Sequence, residues 1–244
     1  MIGVCQRLAS YGCKKYQLSL DGLLYNHDHF RKPGSFVSTL EKINCIRKAG
    51  MFCAVMTTVS SANINDIPAL IDIVVAYHAD VFAFGRYCPT NEQKSETYHI
   101  EPLRYKAFLE TVWQKFEQYK DSDTTFNLKD HLWTLFLYEK SLFKIPKGLE
   151  NGVMYDGCHC GICHMTILPT GDVYACRRME SKIGNVFETS MYDLFLGDAL
   201  NVYRQYNRFE KCSQCILLRF CRGCPAVAYG YTRNMYAPDP QCWI

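Results

Sequence analysis

Nine of the 14 cysteines in this 244-residue chain lie in its last 87 residues. The chain does not begin with a basic segment followed by a long apolar run, so we predict a cytoplasmic, reducing location. Thiols stay reduced in such a compartment, and closely spaced cysteines there favour metal binding over disulfides. The nine are Cys158, Cys160, Cys163, Cys176, Cys212, Cys215, Cys221, Cys224 and Cys242.

The composition excludes several classes of protein. With 48% hydrophobic and 21% charged residues, the chain can bury a core and is not disordered. The most apolar stretch, residues 67–79, contains Asp72 and His78, so we predict no membrane span and no membrane partner. The net charge of +3 is scattered along the chain and gives no case for a nucleic-acid partner.

The first 90 residues alternate between strand and helix patterns. Residues 15–20, 52–59 and 81–84 are predicted strands, and residues 36–49 and 67–79 are predicted helices with one apolar face. This order is typical of parallel βαβ units, in which loops after the carboxyl ends of the strands usually carry the chemistry. Three parallel strands leave an open sheet edge, so we expect further strands to complete the sheet. The alternative is a small three-stranded domain with an N-terminal helix over that edge.

The middle of the chain predicts two more helices, at residues 103–119 and 127–143, whose aromatic side chains favour core packing. Pro146, Gly148 and Gly152 then mark a linker. We therefore predict three regions. They are residues 1–100, a helical linker region at 101–150, and a cysteine-rich domain at 151–244.

The cysteine-rich domain has too little apolar sequence for a conventional core. Two C-x2-C pairs fall within residues 212–224, so a metal must supply much of the folding energy. Residues 167–176 predict a hairpin with its turn at Thr170 to Asp172. Four thiolates suit either zinc or an iron–sulfur cluster, and His159 and His164 are available to zinc. Nine cysteines exceed the four ligands of one centre, which favours two sites.

The C-terminal pattern resembles the radical SAM enzymes that carry a SPASM domain, the peptide maturases in particular. The family pattern is met by Cys158, Gly171 and Cys176, then by a C-x2-C-x5-C run from Cys212, and by a final cysteine at Cys242. The segments LPTGDVYAC, IGNV and CRGCPA accompany them, as in the family. The sequence departs from the pattern after Cys221, because two residues instead of three precede the next cysteine.

The N-terminal part is similar to the fourth to sixth strands of the radical SAM barrel, with SLDG at residues 19–22 and FAFGRYCP at 82–89. The resemblance implies an α/β fold. It would be the second half of a partial radical SAM (β/α) barrel followed by a small, irregular, cysteine-rich SPASM iron–sulfur domain. It also implies an S-adenosylmethionine site. The residues assigned to that site are Ser19 and Asp21, with Arg31 and Arg86 as further candidates.

The resemblance further implies two auxiliary [4Fe-4S] clusters with interleaved ligands. One ligand set is Cys158, Cys163, Cys176 and Cys224, and the other is Cys212, Cys215, Cys221 and Cys242. In the first set, Cys160 competes with Cys163 for the same ligand position, or that position stays open to substrate.

One family motif is absent from this sequence. The catalytic cluster of radical SAM enzymes is held by C-x3-C-x2-C, and Cys5, Cys13, Cys45, Cys53 and Cys88 each stand singly. Without that cluster the chain cannot cleave S-adenosylmethionine reductively on its own, and no catalytic residue is assigned. We expect the sequence to be the C-terminal part of a longer enzyme, with S-adenosylmethionine bound only in the full-length or complemented protein.

The resemblance favours modification of a ribosomally made precursor peptide by thioether or carbon–carbon crosslinking, with ferredoxin or flavodoxin as electron donor. Sulfatase-maturing members have an aspartate where Arg177 follows Cys176, which argues against a formylglycine-generating enzyme. Two alternatives remain open. One is a separate iron–sulfur electron-transfer or peptide-binding partner of a split maturase, and the other is a zinc-binding module.

Overall fold

The structure, a computed structural model, describes residues 2–90 and 96–244. The chain forms two compact units. The first contains Met1–Tyr87 with Tyr98–Asp130, and the second contains Cys88–Thr97 with His131–Ile244. Within the described residues, no helix combines the length and the apolar character needed to cross a bilayer.

The first unit is built on a four-stranded parallel sheet in the order β1-β2-β3-β4. Ser19 at the end of β1 pairs with Met56, and Arg86 at the end of β3 pairs with Val59. The carboxyl ends of the first three strands therefore meet at one edge of the sheet. The strands are β1 (Lys15–Ser19), β2 (Phe52–Val59), β3 (Val81–Arg86) and β4 (Thr125–Asn127).

Helices connect these strands and bury one face against the sheet. In α3, α4 and α5 the buried face includes Ile43, Leu70 and Leu109, each fully buried. Apolar positions three or four residues apart produce these faces, as the sequence predicts. The helices of this unit are α1 (Ile2–Ser10), α2 (Leu24–Phe30), α3 (Ser35–Lys48), α4 (Ile67–Ala76) and α5 (Pro102–Gln118).

The second unit has short elements around a small antiparallel sheet of β5 (Thr166–Ile167), β6 (Asp172–Tyr174) and β7 (Lys182–Asn185). The predicted hairpin is confirmed, because β5 pairs antiparallel with β6. Gly171 has φ +84° in its turn, where a Cβ would lie 2.5 Å from the Phe187 ring. The helices here are α6 (Leu132–Glu139), α7 (Met191–Leu196), α8 (Asp198–Asn201) and α9 (Pro225–Thr232).

The predicted α/β class and the three parallel strands are confirmed. The sequence did not predict β4, because three residues are too few to show an alternating pattern. The observed units also differ from the predicted three regions. Helix α5 and strand β4 lie in the first unit and α6 lies in the second, while the region predicted at residues 101–150 stays a prediction.

Candidate functional site: two cysteine sets and a polar cleft

Four cysteines of the second unit lie together in its core. Cys160 and Cys224 are buried there, and Cys158 and Cys176 pack against them half-buried. Burial, together with smaller contributions from the neighbouring Cys224 and Cys176, raises the pKa of Cys158 to about 12. Burial likewise raises the pKa of Cys160 and of Cys176. Desolvated thiols that would repel one another as anions suit a positively charged metal group. We call these four the first cysteine set.

Hydrogen bonds to backbone groups hold three members of the first cysteine set in place. Cys176 follows β6, and its N–H donates to Ser181 Oγ (3.0 Å), while that hydroxyl donates to the Cys176 carbonyl (2.8 Å). Cys224 precedes α9, and its N–H donates to Asp239 Oδ2 (2.7 Å). The Cys158 carbonyl accepts from Arg222 Nη2 (2.6 Å). Each of these cysteines is therefore placed by its backbone.

The structure distinguishes Cys160 from Cys163. Cys160 is buried, and the nearby Cys158, Cys176 and Cys224 raise its pKa in addition to burial. Cys163 is exposed, and its Sγ lies 3.0 Å from Nδ1 of His159. The arrangement therefore places Cys160, where the sequence assigned Cys163, beside the other three thiols.

A second cysteine set consists of Cys212, Cys215, Cys221 and Cys242, as the sequence grouped them. Burial raises the pKa of Cys212 to about 12, with further contributions from Cys242 and Cys215. Burial also raises the pKa of Cys221 to about 12, with smaller contributions from Asp239, Cys212 and Cys242. The Cys215 N–H donates to the Cys212 carbonyl (3.0 Å), which closes the short turn between that pair.

The composition of each cysteine set fits an iron–sulfur cluster. A [4Fe-4S] cluster is held by four cysteine thiolates. Each set supplies the four thiols that such a cluster requires.

Sequence reasoning missed two buried charged residues beside these sets. Arg222 is 3% exposed and donates to the carbonyls of Asp156 (2.9 Å) and Cys158 (2.6 Å). Asp239 is 4% exposed and lies against Gly223, where a Cβ would come within 2.5 Å of the aspartate Cβ. The sequence offered one signal, which was the position of Arg222 between Cys221 and Cys224. A charged side chain at such a position is buried only when it has a partner.

An open cleft of about 300 Å³ lies in the first unit, at the carboxyl end of β1, and polar side chains are among its lining. It has two cationic side chains and three hydroxyls, which suit a ligand rich in hydrogen-bond acceptors. The lining residues are Ser19, His27, Arg31, Lys32, Ser35 and Thr39.

Two of the four predicted S-adenosylmethionine residues, Ser19 and Arg31, line this cleft. Asp21 is buried with both carboxylate oxygens occupied, since Oδ2 accepts from Arg31 Nε (2.7 Å) and Oδ1 accepts from the Thr58 N–H (2.7 Å). Arg86 is buried in an ion pair with Asp130 (2.8 Å). In this arrangement Asp21 positions Arg31, and Arg86 stabilises the core.

His27 is a further polar group of the cleft that sequence reasoning did not assign. It is 1% exposed, and its Nδ1 accepts from the Asp21 N–H (2.9 Å), which places the proton of the neutral ring on Nε2. Burial lowers the pKa of His27, an effect that Arg31 adds to and that Asp21 and Asp28 oppose. Within the described residues Nε2 has no hydrogen-bond partner. A buried donor of this kind is satisfied by an ordered water or by an acceptor of a ligand.

Comparison with known families identifies the second unit. Residues 158–216 match the SPASM family, an iron–sulfur cluster-binding domain. The similarity to this family is confined to these residues. The match covers the first cysteine set up to Cys176 and includes Cys212 and Cys215, so it supports the iron–sulfur interpretation of the cysteine ladder.

Other similarities extend over nearly the whole chain. The AdoMet-dependent heme synthase of Methanosarcina barkeri is 26% identical, over 98% of this chain and 70% of that protein. The mycofactocin maturase MftC of Mycobacterium ulcerans is 26% identical, over 98% of this chain and 63% of that protein. The crystal structure of Streptococcus suis SuiB bound to precursor peptide SuiA has a TM-score of 0.66 at 21% identity, over 93% of this chain and 53% of that chain.

These similarities confirm the predicted resemblance to radical SAM/SPASM proteins and the predicted fold. The chain spans between about half and seven-tenths of the length of the three proteins named.

Proposed function

We propose that this chain carries the two auxiliary [4Fe-4S] clusters and part of the S-adenosylmethionine site of a radical SAM/SPASM maturase acting on a ribosomally made peptide. The observation that carries the proposal is the sorting of eight thiols into two sets of four. Four thiolates are the usual ligand set of a [4Fe-4S] cluster.

The first site would use Cys158, Cys160, Cys176 and Cys224, and the second Cys212, Cys215, Cys221 and Cys242. The placement of the first set in and against the core of the second unit supports this, because a cluster bound there contributes to folding. When bound, such clusters supply one-electron transfer. The protein's part is to place eight thiols and to exclude water from them. A reduced ferredoxin or flavodoxin is the proposed electron donor.

In the first unit, the cleft would hold part of S-adenosylmethionine. Arg31 and Lys32 offer charge to a carboxylate, Ser19 offers a hydroxyl, and His27 offers the N–H of Nε2. Asp21 would act as a positioning residue, since it holds both Arg31 and the His27 ring. The relative named AdoMet-dependent heme synthase supports this choice of ligand.

Equilibrium dialysis of the full-length or complemented protein with S-adenosylhomocysteine would test the cleft. We expect His27→Phe and Arg31→Met each to weaken binding roughly tenfold, about the contribution of one hydrogen bond to a charged or buried group. His27→Gln should keep most of the affinity because its amide can still donate. The surface variant Lys42→Gln is the control. Affinity unchanged in both cleft variants would contradict the assignment, and no binding by the unaltered full-length or complemented protein would refute the proposed cofactor site.

A peptide is the proposed substrate, in line with SuiB bound to its precursor peptide and with the maturase MftC. Arg177 after Cys176 favours crosslink formation over formylglycine generation, by the family comparison made from the sequence. The similarity to heme synthase favours a second candidate, in which the substrate is a tetrapyrrole.

Titration of the reconstituted chain with a ribosomally made precursor peptide and, separately, with a porphyrin would distinguish the two substrates. Saturable peptide binding with no porphyrin binding supports the maturase, and the reverse result supports the tetrapyrrole enzyme.

A further inference from the structure

One short segment of the second unit belongs to both cysteine sets. Cys221 is a member of the second set and Cys224 is a member of the first, and only Arg222 and Gly223 separate them. Both cysteines are buried. Any contact that fixes the backbone of this segment therefore acts on a thiol of each set.

Asp239 makes such a contact at the end of the segment that carries Cys224. Its Oδ2 accepts from the Cys224 N–H at 2.7 Å, and this hydrogen bond is buried. Gly223 has φ +59°, and a Cβ added to it would lie 2.5 Å from the Cβ of Asp239, so only glycine allows this close approach. A hydrogen bond from a backbone N–H to a carboxylate is stronger than one to a neutral acceptor. Asp239 therefore fixes the backbone that carries the Cys224 thiol.

The same residue forms the turn that leads to Cys242. Its Oδ1 accepts from the Gln241 N–H at 3.0 Å, and its main-chain carbonyl accepts from the Cys242 N–H at 2.9 Å. A carboxylate that accepts from the backbone two residues further on forms an Asx turn. Cys242 is the last thiol of the second set, so the two oxygens of one buried carboxylate serve different cysteine sets.

We propose that Asp239 is a positioning residue shared by the two cluster sites, which places Cys224 for the first site and Cys242 for the second without binding iron itself. This inference rests on the proposed binding of two [4Fe-4S] clusters. A buried carboxylate must be satisfied by hydrogen bonds, and two buried backbone N–H groups donate to this one. Loss of one cysteine removes a ligand from one site, whereas loss of Asp239 disturbs both.

The experiment measures iron per chain and the electron paramagnetic resonance of the dithionite-reduced clusters in the anaerobically reconstituted full chain. Two double variants supply the reference spectra, since each retains one site and should bind about four irons. They are Cys158→Ala/Cys176→Ala, which retains the second site, and Cys212→Ala/Cys215→Ala, which retains the first.

Asp239→Ala removes both carboxylate contacts. We expect it to weaken the signals of both clusters and to leave fewer than about four irons per chain, which is less than the loss of one ligand leaves. Asp239→Asn keeps one acceptor oxygen and can satisfy one of the two N–H groups, so it should retain about four irons or more and lose at most one signal. Gly223→Ala moves the same segment away from Asp239 and should weaken both signals.

Asp172→Ala is the matched control, because Asp172 binds Lys182 (2.7 Å) and Asn185 (3.0 Å) in the small sheet of the same unit. It should keep the full iron content. Should Asp239→Ala fail to fold, Asp239→Asn and Gly223→Ala carry the test.

Three results would overturn this inference and leave the proposed function standing. They are a loss confined to one signal in Asp239→Ala or Gly223→Ala, an unchanged iron content in those variants, and an equal loss in Asp172→Ala. An Asp239→Asn variant in which both signals fall as far as in Asp239→Ala would overturn it too. An unaltered chain that binds no iron would overturn the proposed function as well.

Discussion

The two units of this protein satisfy their buried polar groups in different ways. In the first unit the protein supplies both partners, as where Arg86 meets Asp130 at 2.8 Å and Asp21 binds Arg31. In the second unit the thiols of the two cysteine sets lie near one another, and burial, with a smaller contribution from neighbouring thiols, raises the pKa of Cys158 and of Cys212. The first unit is therefore built to fold on its internal contacts, and the second is built to fold around a metal group.

Removal of iron should have the largest effect, and it should destabilise the second unit without destabilising the first. We expect chelation to abolish hydrogen-exchange protection in β6 and α9, because cluster binding is part of the folding free energy of the second unit. Protection in β2 and β3 of the first unit should remain. Equal loss of protection in both units would show that the contrast is wrong.

The next effect concerns the choice between neighbouring thiols. Cys160→Ala should lower the iron content by roughly half, from about eight to about four atoms per chain, since one four-iron site loses a ligand. Cys163→Ala is the matched control and should keep the full iron content, because this thiol is exposed beside His159. Measured iron that falls only in Cys163→Ala would restore the assignment made from the sequence.

A smaller effect is expected from the first unit's ion pairs. Asp130→Ala leaves the buried Arg86 without its carboxylate and should destabilise the first unit by about 3 to 5 kcal/mol. Asp72→Ala breaks the more exposed pair with Lys115 and should cost only about 0 to 1 kcal/mol. Amide exchange in β3 measures both. Neither variant should change the iron content, and a loss of iron in either would contradict the separation of the two units.

The smallest expected effect is a pH dependence from His27. Its pKa is lowered in the folded state from 6.5, so the unfolded chain takes up a proton first as the pH falls. Stability of the first unit should therefore be full above pH 6.5 and decline below it. His27→Gln removes this decline. The free energy of unfolding of the first unit would be measured in urea at pH 7.5 and at pH 5.5, with amide exchange in β2 and β3 as the probe. The same change in this free energy between the two pH values in the unaltered protein and in His27→Gln would refute the prediction.

The sequence was sufficient for the long, periodic elements. The strand at Phe52–Val59 and the apolar face of α4 appear as predicted, and the strand predicted at residues 81–84 extends to Arg86. Strand β4 was not predictable, because its three residues pair only through the tertiary fold. The ligand sets assigned from the family resemblance stay a prediction, and the structure places Cys160 rather than Cys163 beside Cys158, Cys176 and Cys224.

The choice of Cys160 over Cys163 needed coordinates. Both thiols lie within five residues of Cys158, and spacing does not reveal which one points into the core. The roles of Asp21 and His27 were also hidden, because they depend on the side chain of Arg31 and on a backbone N–H folded back over six residues. Such contacts leave no periodic signal in a sequence.

The central claim is that two separate four-thiol sets bind two clusters. The most direct measurement is Mössbauer spectroscopy with iron analysis on the unaltered chain and on the two double variants Cys158→Ala/Cys176→Ala and Cys212→Ala/Cys215→Ala. The account predicts about eight irons as [4Fe-4S] clusters in the first protein and about four in each variant. A colourless protein with stoichiometric zinc, or a variant of one set that loses all iron, would contradict it.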